Sequence, residues 1–549
     1  MSQTISTTAP TASAVPLAER AALLPKFGGR VFSSGEDLAW TLSSIVFGAL
    51  LGLSQPEFGV WILAWVGLVP LLLLSISSRR MSQAAARGFL FGASYNLMAL
   101  NWFLHLNPPW WFKSEATEAL QLLGIAVWLL AGLLQGSAFT MFSCLTKFVT
   151  DSNRFGHIKL MVALPFAWVF ITHILYNQPD LLLMPMSVLE YSQYQQTWII
   201  QIASIIGGIG LELLIVSINV ALAAVVVATA GRRGVFPAAA FVSRKWSLTL
   251  LSATSAVVLA TTIWGWWRLE SRHHADSPAT QTNVSVVQGN FTRIYNNEKC
   301  KRALTASEIW NYCRGEVRKC PEGVVVFTET LLPASALSTR ALCSDLEETA
   351  RASRCDLIVG AWEQAGQGRT YNAAFSVSPE DGLHRDGYRK RYLIPFGEFE
   401  PLVIRCLPAN LKEGWYTRRR PQILRGTTAT GLRTRSGSVA AIICGESFDP
   451  FLCASSVSKE TSMTANLSNL TWFEGSSLGE LVAAVSVMRA VENERPFVYS
   501  CETGPSFIVD SYGRIMKSSA WSRDAVVTAP IHVSSQVTPF TAFCQLFVK

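Results

Sequence analysis

From about residue 38 to residue 268 charge is sparse, and afterwards it returns to the level of a water-soluble protein. No other feature narrows the possible folds as much. A helix needs about 20 predominantly apolar residues to cross the hydrocarbon core of a bilayer. Such stretches recur at roughly 38–54, 58–76, 84–104, 119–143, 159–176, 205–228 and 248–267. The expected organisation is therefore a membrane domain of about seven helices over 36–270, followed by a water-soluble half. The length of 549 residues exceeds one ordinary domain, and a chain half apolar and only 15% charged suits partial residence in a membrane. Residues 1–35, rich in Ser, Thr, Ala and Pro, lack the apolar core of a signal peptide and read as a disordered cytoplasmic tail.

The loops between spans set the orientation. With the N-terminus inside, the cytoplasmic loops carry Arg79 and Arg80, then Lys147, Arg154 and Lys159, then Arg232, Arg233, Arg244 and Lys245. The alternate loops carry Lys113 and essentially no other base, as the positive-inside rule requires. Everything after Arg268 is then expected outside the cytoplasm. The same placement accounts for the net charge of +8 without invoking nucleic acid. Within the spans, Glu212 and Asn219 would be costly facing lipid, so each either lines a lateral pocket or makes a helix–helix hydrogen bond.

From about residue 280, β-branched runs alternate with helical patterns. "NVSVVQGN", "GVVVFTET", "CDLIVGAW" and "SVAAIICGES" read as strands ending in turns, and "SEIWNYCRGEV" and "LGELVAAVSVMRAVENER" read as helices. This is an α/β pattern. Ten of the eleven cysteines fall in this half, where export permits disulfides, and Cys300, Cys313, Cys320, Cys343 and Cys355 are the natural partners to consider. Cys444 ends an apolar strand just before Gly445, and on these grounds it is a core thiol, half of a disulfide or a nucleophile. CxxC and HExxH motifs, a Walker loop, a strand-following GxGxxG and a GxSxG elbow are all missing, so no metal or nucleotide cofactor is indicated.

A nucleophilic thiol needs a base for its proton and a cation to favour the anion. Two other strand ends offer such groups. "VVVFTETLLP" places Glu329 after an apolar strand, and "YRKRYLIPFGEFEPL" places Lys390 before a short apolar run, with Glu398 in the following turn.

Taken together, a strand-end Glu, then Lys in a Y-x-K-x-x-L-[IV]-P-F-G-E stretch, then Cys-x-Glu, resembles the nitrilase superfamily. The spans ahead of it resemble its membrane-embedded branch, the apolipoprotein N-acyltransferases. "WILAWVGLVPLLLL" (61–74), "GFLFGASYNLMALNWF" (88–103), "LEYSQYQQTWIIQIASIIGGIG" (189–210), "VVQGNF" (286–291), "NLSNLTWF" (466–473) and "MRAVENERPFVYSCETGPSFIVDSYG" (488–513) follow in the family's order. The resemblance implies an extracytoplasmic α-β-β-α sandwich over 275–540. It makes Glu329 the general base, Lys390 the oxyanion stabiliser and Cys444 the nucleophile. Glu398 and Glu446 become supporting carboxylates, and Trp472 an aromatic residue beside the site. The implied reaction passes an acyl chain from a phosphatidylethanolamine-like donor, through a Cys thioester, to the amine of a diacylated apolipoprotein at the bacterial inner membrane.

Four features depart from the family pattern: Gly445 in place of an aromatic residue, no tryptophan in "QGNFTRIYNNEKC", Leu470, Thr471 and Glu474 in "SNLTWFE", and a short tail over 541–549 where a last span is usual. Two rival readings follow, a membrane-tethered amidase that passes its acyl group to water, and a catalytically degenerate interaction protein.

Overall fold

The computed structural model describes residues 35–106, 117–151, 157–175, 177–181, 183–230, 243–273, 281–291, 304–333, 336–395, 397–406, 408 and 422–546. The tail over 1–34, Cys300, the "TRIYNNEKC" stretch and residues 547–549 lie outside them.

Helices occur at each apolar stretch. They are α1 (Gly35–Gly52), α2 (Val69–Ser77), α3 (Met81–Ala99), α4 (Thr117–Asp151), α5 (His157–Val169), α6 (Ala203–Ala230) and α7 (Arg244–His273). Three segments, Gly124–Asp151, Ala203–Ala230 and Arg244–Ser271, are long and apolar enough to cross a membrane, and the protein is a membrane protein. The second apolar stretch is divided into a 3-10 turn, Trp61–Trp65, and the short α2, with Pro70 in the first turn of α2. Pro165 lies within α5, whose end unwinds into a π-helix over Phe170–Leu175.

Glycine lets α3 and α4 approach closely. A Cβ on Gly136 would stand 2.8 Å from the Ala93 backbone nitrogen, and one on Gly92 would stand 2.7 Å from the Gly136 carbonyl. Without a hydrophobic force between helices in lipid, such contacts supply much of the association. Polar groups bridge the rest. Asn219 accepts from Leu68 N at 2.9 Å and donates to Ala64 O at 2.9 Å, so it ties two segments together.

The soluble half contains two sheets. The first orders its strands β13 (Ala525–His532), β1 (Gln281–Gln288), β2 (Gly323–Val326), β3 (Cys355–Gln364), β4 (Arg369–Ser378) and β5 (Gly382–Arg389), with β6 (Gln422–Leu424) pairing β4. The second orders β12 (Ile515–Ser518), β11 (Phe507–Val509), β10 (Phe497–Cys501), β9 (Thr461–Ser468), β8 (Gly437–Ile443) and β7 (Gly431–Thr434). The sheets pack face to face through Val284, Val286, Val324 and Val326 on one side and Val439, Ala441, Ile443 and Ala465 on the other. These are alternate residues, as the two-residue period of a strand demands. Helices α8 (Ala306–Val317) and α9 (Arg340–Ser353) cover the outer face of the first sheet. Helix α10 (Leu478–Asn493) covers the second, completing an α-β-β-α sandwich.

The far side of α10 is not solvated. Its residues share one continuous apolar core with Leu211, Ile215 and Trp168 of the membrane helices. Polar ties cross the same boundary, among them Gln201 donating to Tyr512 O at 2.9 Å, Arg268 paired with Glu494 at 2.7 Å and Ser477 donating to Asn101 at 2.8 Å. The short helix α11 (Pro539–Gln545) sets Phe540 against Gly207, where α6 is kinked with φ +70°. A Gly136→Val substitution should force α3 from α4. The expected cost is about 1–3 kcal/mol, read as a lower unfolding temperature of the full chain in detergent.

Candidate active site

Three strands of the sandwich end together. The chain leaves β2 at Glu329, β5 at Lys390 and β8 at Cys444. Lys390 is 1% exposed, and its Nζ lies 3.1 Å from Glu329 Oε1 and 2.9 Å from Glu398 Oε1. Asn372 Nδ2 donates to the same two oxygens at 2.7 and 3.2 Å. The other Glu398 oxygen accepts from Ile394 N at 2.8 Å, which closes the Pro-Phe-Gly-Glu turn back onto the lysine.

Glu446 is fully buried and points away from this trio. Its Oε1 accepts from Arg391 N and Tyr392 N at 2.6 and 2.9 Å, and its Oε2 accepts from Ile443 N and Tyr388 Oη, each at 2.7 Å. One carboxylate therefore fixes the segment carrying Lys390 to the strand end carrying Cys444. Charge-assisted bonds of this kind are the stronger ones.

Cys444 adopts a left-handed φ of +55°, which a non-glycine residue rarely holds without support. Asn466 supplies support by donating to the Cys444 carbonyl at 3.0 Å. The Ser468 hydroxyl reaches the thiol, and Tyr499 in turn donates to Ser468 at 2.8 Å. Cys444 and the nine other described cysteines are all unbridged. The bridges that export would permit among Cys313, Cys320, Cys343 and Cys355 are not formed. Instead the Cys343 and Cys355 thiols donate to backbone carbonyls, and Cys313 is buried against the first sheet.

The electrostatics follow from burial. Desolvation, with the nearby Glu329 charge, pushes the Cys444 thiol up to about 12, only partly opposed by Lys390. Glu329 is also raised by burial, while Lys390 and the Asn372 bond pull it down. Burial alone would lower Lys390, but Glu329 and Glu398 hold it well above the ordinary lysine value. At neutral pH the cysteine is thus a thiol, and its proton needs a base during attack.

Trp472 sits half-buried in the turn Thr471–Phe473 that follows β9. The neighbouring Phe473 meets Trp102 edge to face at 4.8 Å, so this turn rests on the 3-10 turn Asn101–His105 that follows α3. The three unusual residues of the turn are each accommodated. Leu470 joins the shared core, Thr471 bonds Asn469, and Ser522 donates to Glu474. Gly445 also has a local cause. A Cβ there would lie 2.4 Å from Ile394 Cδ1, so Ile394 fills the space that a side chain at 445 would need. Asn372 was not identifiable beforehand, because a single polar residue in a strand carries no spacing signal, whereas Tyr388 and Ser468 stood within the quoted stretches without a role assigned to them.

Three outcomes are expected. Glu329 must be ionised to accept a proton, and its pKa is raised, so activity should fall on the acid side with an apparent pKa above 4.5. Asn372→Ala removes a bond that favours the anion, so the same limb should move to still higher pH in a kcat/KM profile. Gly445→Tyr should lower activity through its clash with Ile394, and adding Ile394→Ala should restore part of it.

The comparisons cover both halves. The family description "Apolipoprotein N-acyltransferase N-terminal domain" matches residues 47–221, and "Carbon-nitrogen hydrolase" matches residues 284–538. An apolipoprotein N-acyltransferase of Geobacter metallireducens is 27% identical over 522 residues, 92% of each chain. One from Gloeobacter violaceus is 25% identical over 516 residues, 93% of this chain and 92% of that protein. Among solved structures, a mutant amidase of the nitrilase superfamily from Nesterenkonia is 12% identical, covering 48% of this chain and 94% of its own at a TM-score of 0.34. With both domains matched in the same order and relatives aligned over nearly their whole length, the chain belongs to the apolipoprotein N-acyltransferase family.

Proposed function

We propose that this protein transfers an acyl chain from a phospholipid to the N-terminal amine of diacylglyceryl-cysteine in apolipoproteins, through a thioester on Cys444. The observation that carries this reading is the meeting of Cys444, Glu329, Lys390 and Glu398 in a sandwich whose α10 face is continuous with the membrane helices. A site so joined to the bilayer suits two lipid-anchored substrates.

In the first step the Cys444 sulfur attacks the sn-1 ester carbonyl of a phosphatidylethanolamine-like donor. Glu329 takes the thiol proton, and Lys390 stabilises the oxyanion. The C–O bond then breaks, and Glu329 returns the proton to the departing lysophospholipid oxygen. In the second step the lipoprotein amine attacks the thioester, Glu329 takes its proton, and Cys444 leaves as the thiol. Dividing the transfer in two keeps the acyl group on the enzyme between substrates. Glu398 and Asn372 hold Lys390 and Glu329 in register, Glu446 positions the lysine segment against the nucleophile, and Trp472 flanks the site.

The chain resides in the bacterial inner membrane with the sandwich outside the cytoplasm. Arg79, Arg80, Lys147, Arg244 and Lys245 support this, because they occupy helix ends remote from those that touch the sandwich.

Intact-mass measurement after incubation with phosphatidylethanolamine tests the first step. An acyl-sized, hydroxylamine-labile adduct is expected on the wild type and absent from Cys444→Ala. Glu329→Gln should slow its formation by about 10²–10⁴-fold. No adduct on the wild type would defeat the reading. A chase with a diacylated lipopeptide should consume the adduct and yield the triacylated product, whereas loss to water alone would identify a hydrolase.

A further inference from the structure

Away from the nucleophile, the boundary between the membrane helices and α10 encloses a second group of charged side chains. His173 comes from the π-helix over Phe170–Leu175, Glu190 from the 3-10 turn Leu189–Gln193 and Glu212 from α6. Their exposures are 7%, 1% and 0%. His173 Nε2 lies 2.6 Å from Glu212 Oε2 and 3.8 Å from Glu190 Oε2. One potential ligand atom from each of the three lies within 4.8 Å of the others.

Glu190 is the informative member. Among the described residues its Oε2, 3.8 Å from His173 Nε2, is buried without a hydrogen-bond partner, and its Oε1 has Arg489 at 3.6 Å. A buried carboxylate oxygen left this way is costly. Room for it is nevertheless kept, because a Cβ on Gly208 would stand 2.5 Å from Glu190 Oε1.

The local charge does not close either. Glu492, fully buried alongside, accepts on Oε1 from Arg489 Nη2 at 2.9 Å and Gly208 N at 2.8 Å, while its Oε2 is only ion-paired, 2.7 Å from Arg489 Nε. Glu190, Glu212 and Glu492 thus bring three negative charges against one guanidinium. With all three carboxylates ionised, a protonated His173 still leaves one charge unbalanced and a doubly charged ion beside a neutral imidazole closes the balance; the competing closure is a second proton, carried by Glu190.

We propose that His173, Glu190 and Glu212 bind a divalent first-row transition cation, with zinc the best match to the ligand set. An imidazole with two carboxylates differs from the all-oxygen shells of calcium and magnesium. Three protein ligands are also the usual complement of an open zinc site. The ion takes the place of the proton shared by His173 and Glu212. Trp168 Nε1, donating to Glu212 Oε1 at 2.6 Å, and Arg489, facing Glu190, serve as the outer partners that orient such ligands. The site joins two membrane helices and the turn between them. Arg489 extends the link to the catalytic half, since it also donates to Ser447 O at 3.3 Å, in the turn of Cys444.

The test is metal content, a readout independent of acyl transfer. The full chain is purified in detergent with no polyhistidine tag and assayed for zinc, manganese and iron by mass spectrometry. About one equivalent of a single metal is expected in the wild type, with little in His173→Ala or in Glu190→Gln. Zinc added to chelator-stripped wild type should raise its unfolding temperature, and Glu190→Gln should lack that rise. Because Glu190→Gln keeps size and shape, it carries the test if His173→Ala does not fold. Wild type without metal and without a zinc-dependent rise would overturn the proposal. So would a rise of equal size in Glu190→Gln, or a Glu190→Gln protein more stable than a metal-free wild type.

Discussion

The site depends on keeping one ammonium group out of water. Lys390 is buried at a strand end and tolerable there only because Glu329 and Glu398 approach it from two sides. Removing one partner of a buried pair typically costs about 3–5 kcal/mol, since the other charge is left uncompensated. Here two carboxylates share one cation, so each also depends on the Asn372 amide that touches both. The arrangement suits chemistry better than stability. Glu329 is held near its partners yet raised toward protonation by burial, as its proposed role of general base would require.

Around that trio the fold supplies rigidity through backbone amides. Glu446 receives three of them and one phenol, all within 2.9 Å, and so ties two segments distant in sequence into one unit. Asn466 holds the strained turn of Cys444 from the neighbouring strand. Ile394 occupies the space above Gly445, and the turn carrying Trp472 leans on the aromatic 3-10 turn that follows α3. Each residue that touches the nucleophile turn is thus backed by a strand, a second turn or a membrane helix.

Much of this was legible in the sequence, for identifiable reasons. Apolar stretches of bilayer length and β-branched runs ending in turns are strong local signals, and helices and strands lie where those signals fall. Glu329, Lys390, Glu398 and Cys444 were recognisable because each stands beside a turn or strand end within a distinctive stretch. Asn372 was not, since an amide in mid-strand looks like any other polar residue until β4 is paired with β3 and β5. The group of His173, Glu190 and Glu212 was equally hidden. The three lie in separate segments with no motif spacing, and only the π-turn and the kinked α6 bring them together. The unbridged cysteines show the converse. Export permits disulfides, but here packing inside helices and against the sheet sets the positions of the thiols.

The shared apolar core beneath α10 also bears on how the protein is made. Ala484, Val487 and Val491 have a sheet on one side and membrane helices on the other, so no face of this helix is suited to water. In chain order α6 and α7 precede every strand of the sandwich, so they are made before it. Until they are in place, α10 has nothing to close against, and the second sheet lacks its outer layer. Chain order therefore puts the helical half first, and that half supplies the hydrophobic wall on which the second sheet's outer layer closes. A translocated sandwich cut free of its helices would be an aggregation-prone intermediate rather than a soluble enzyme.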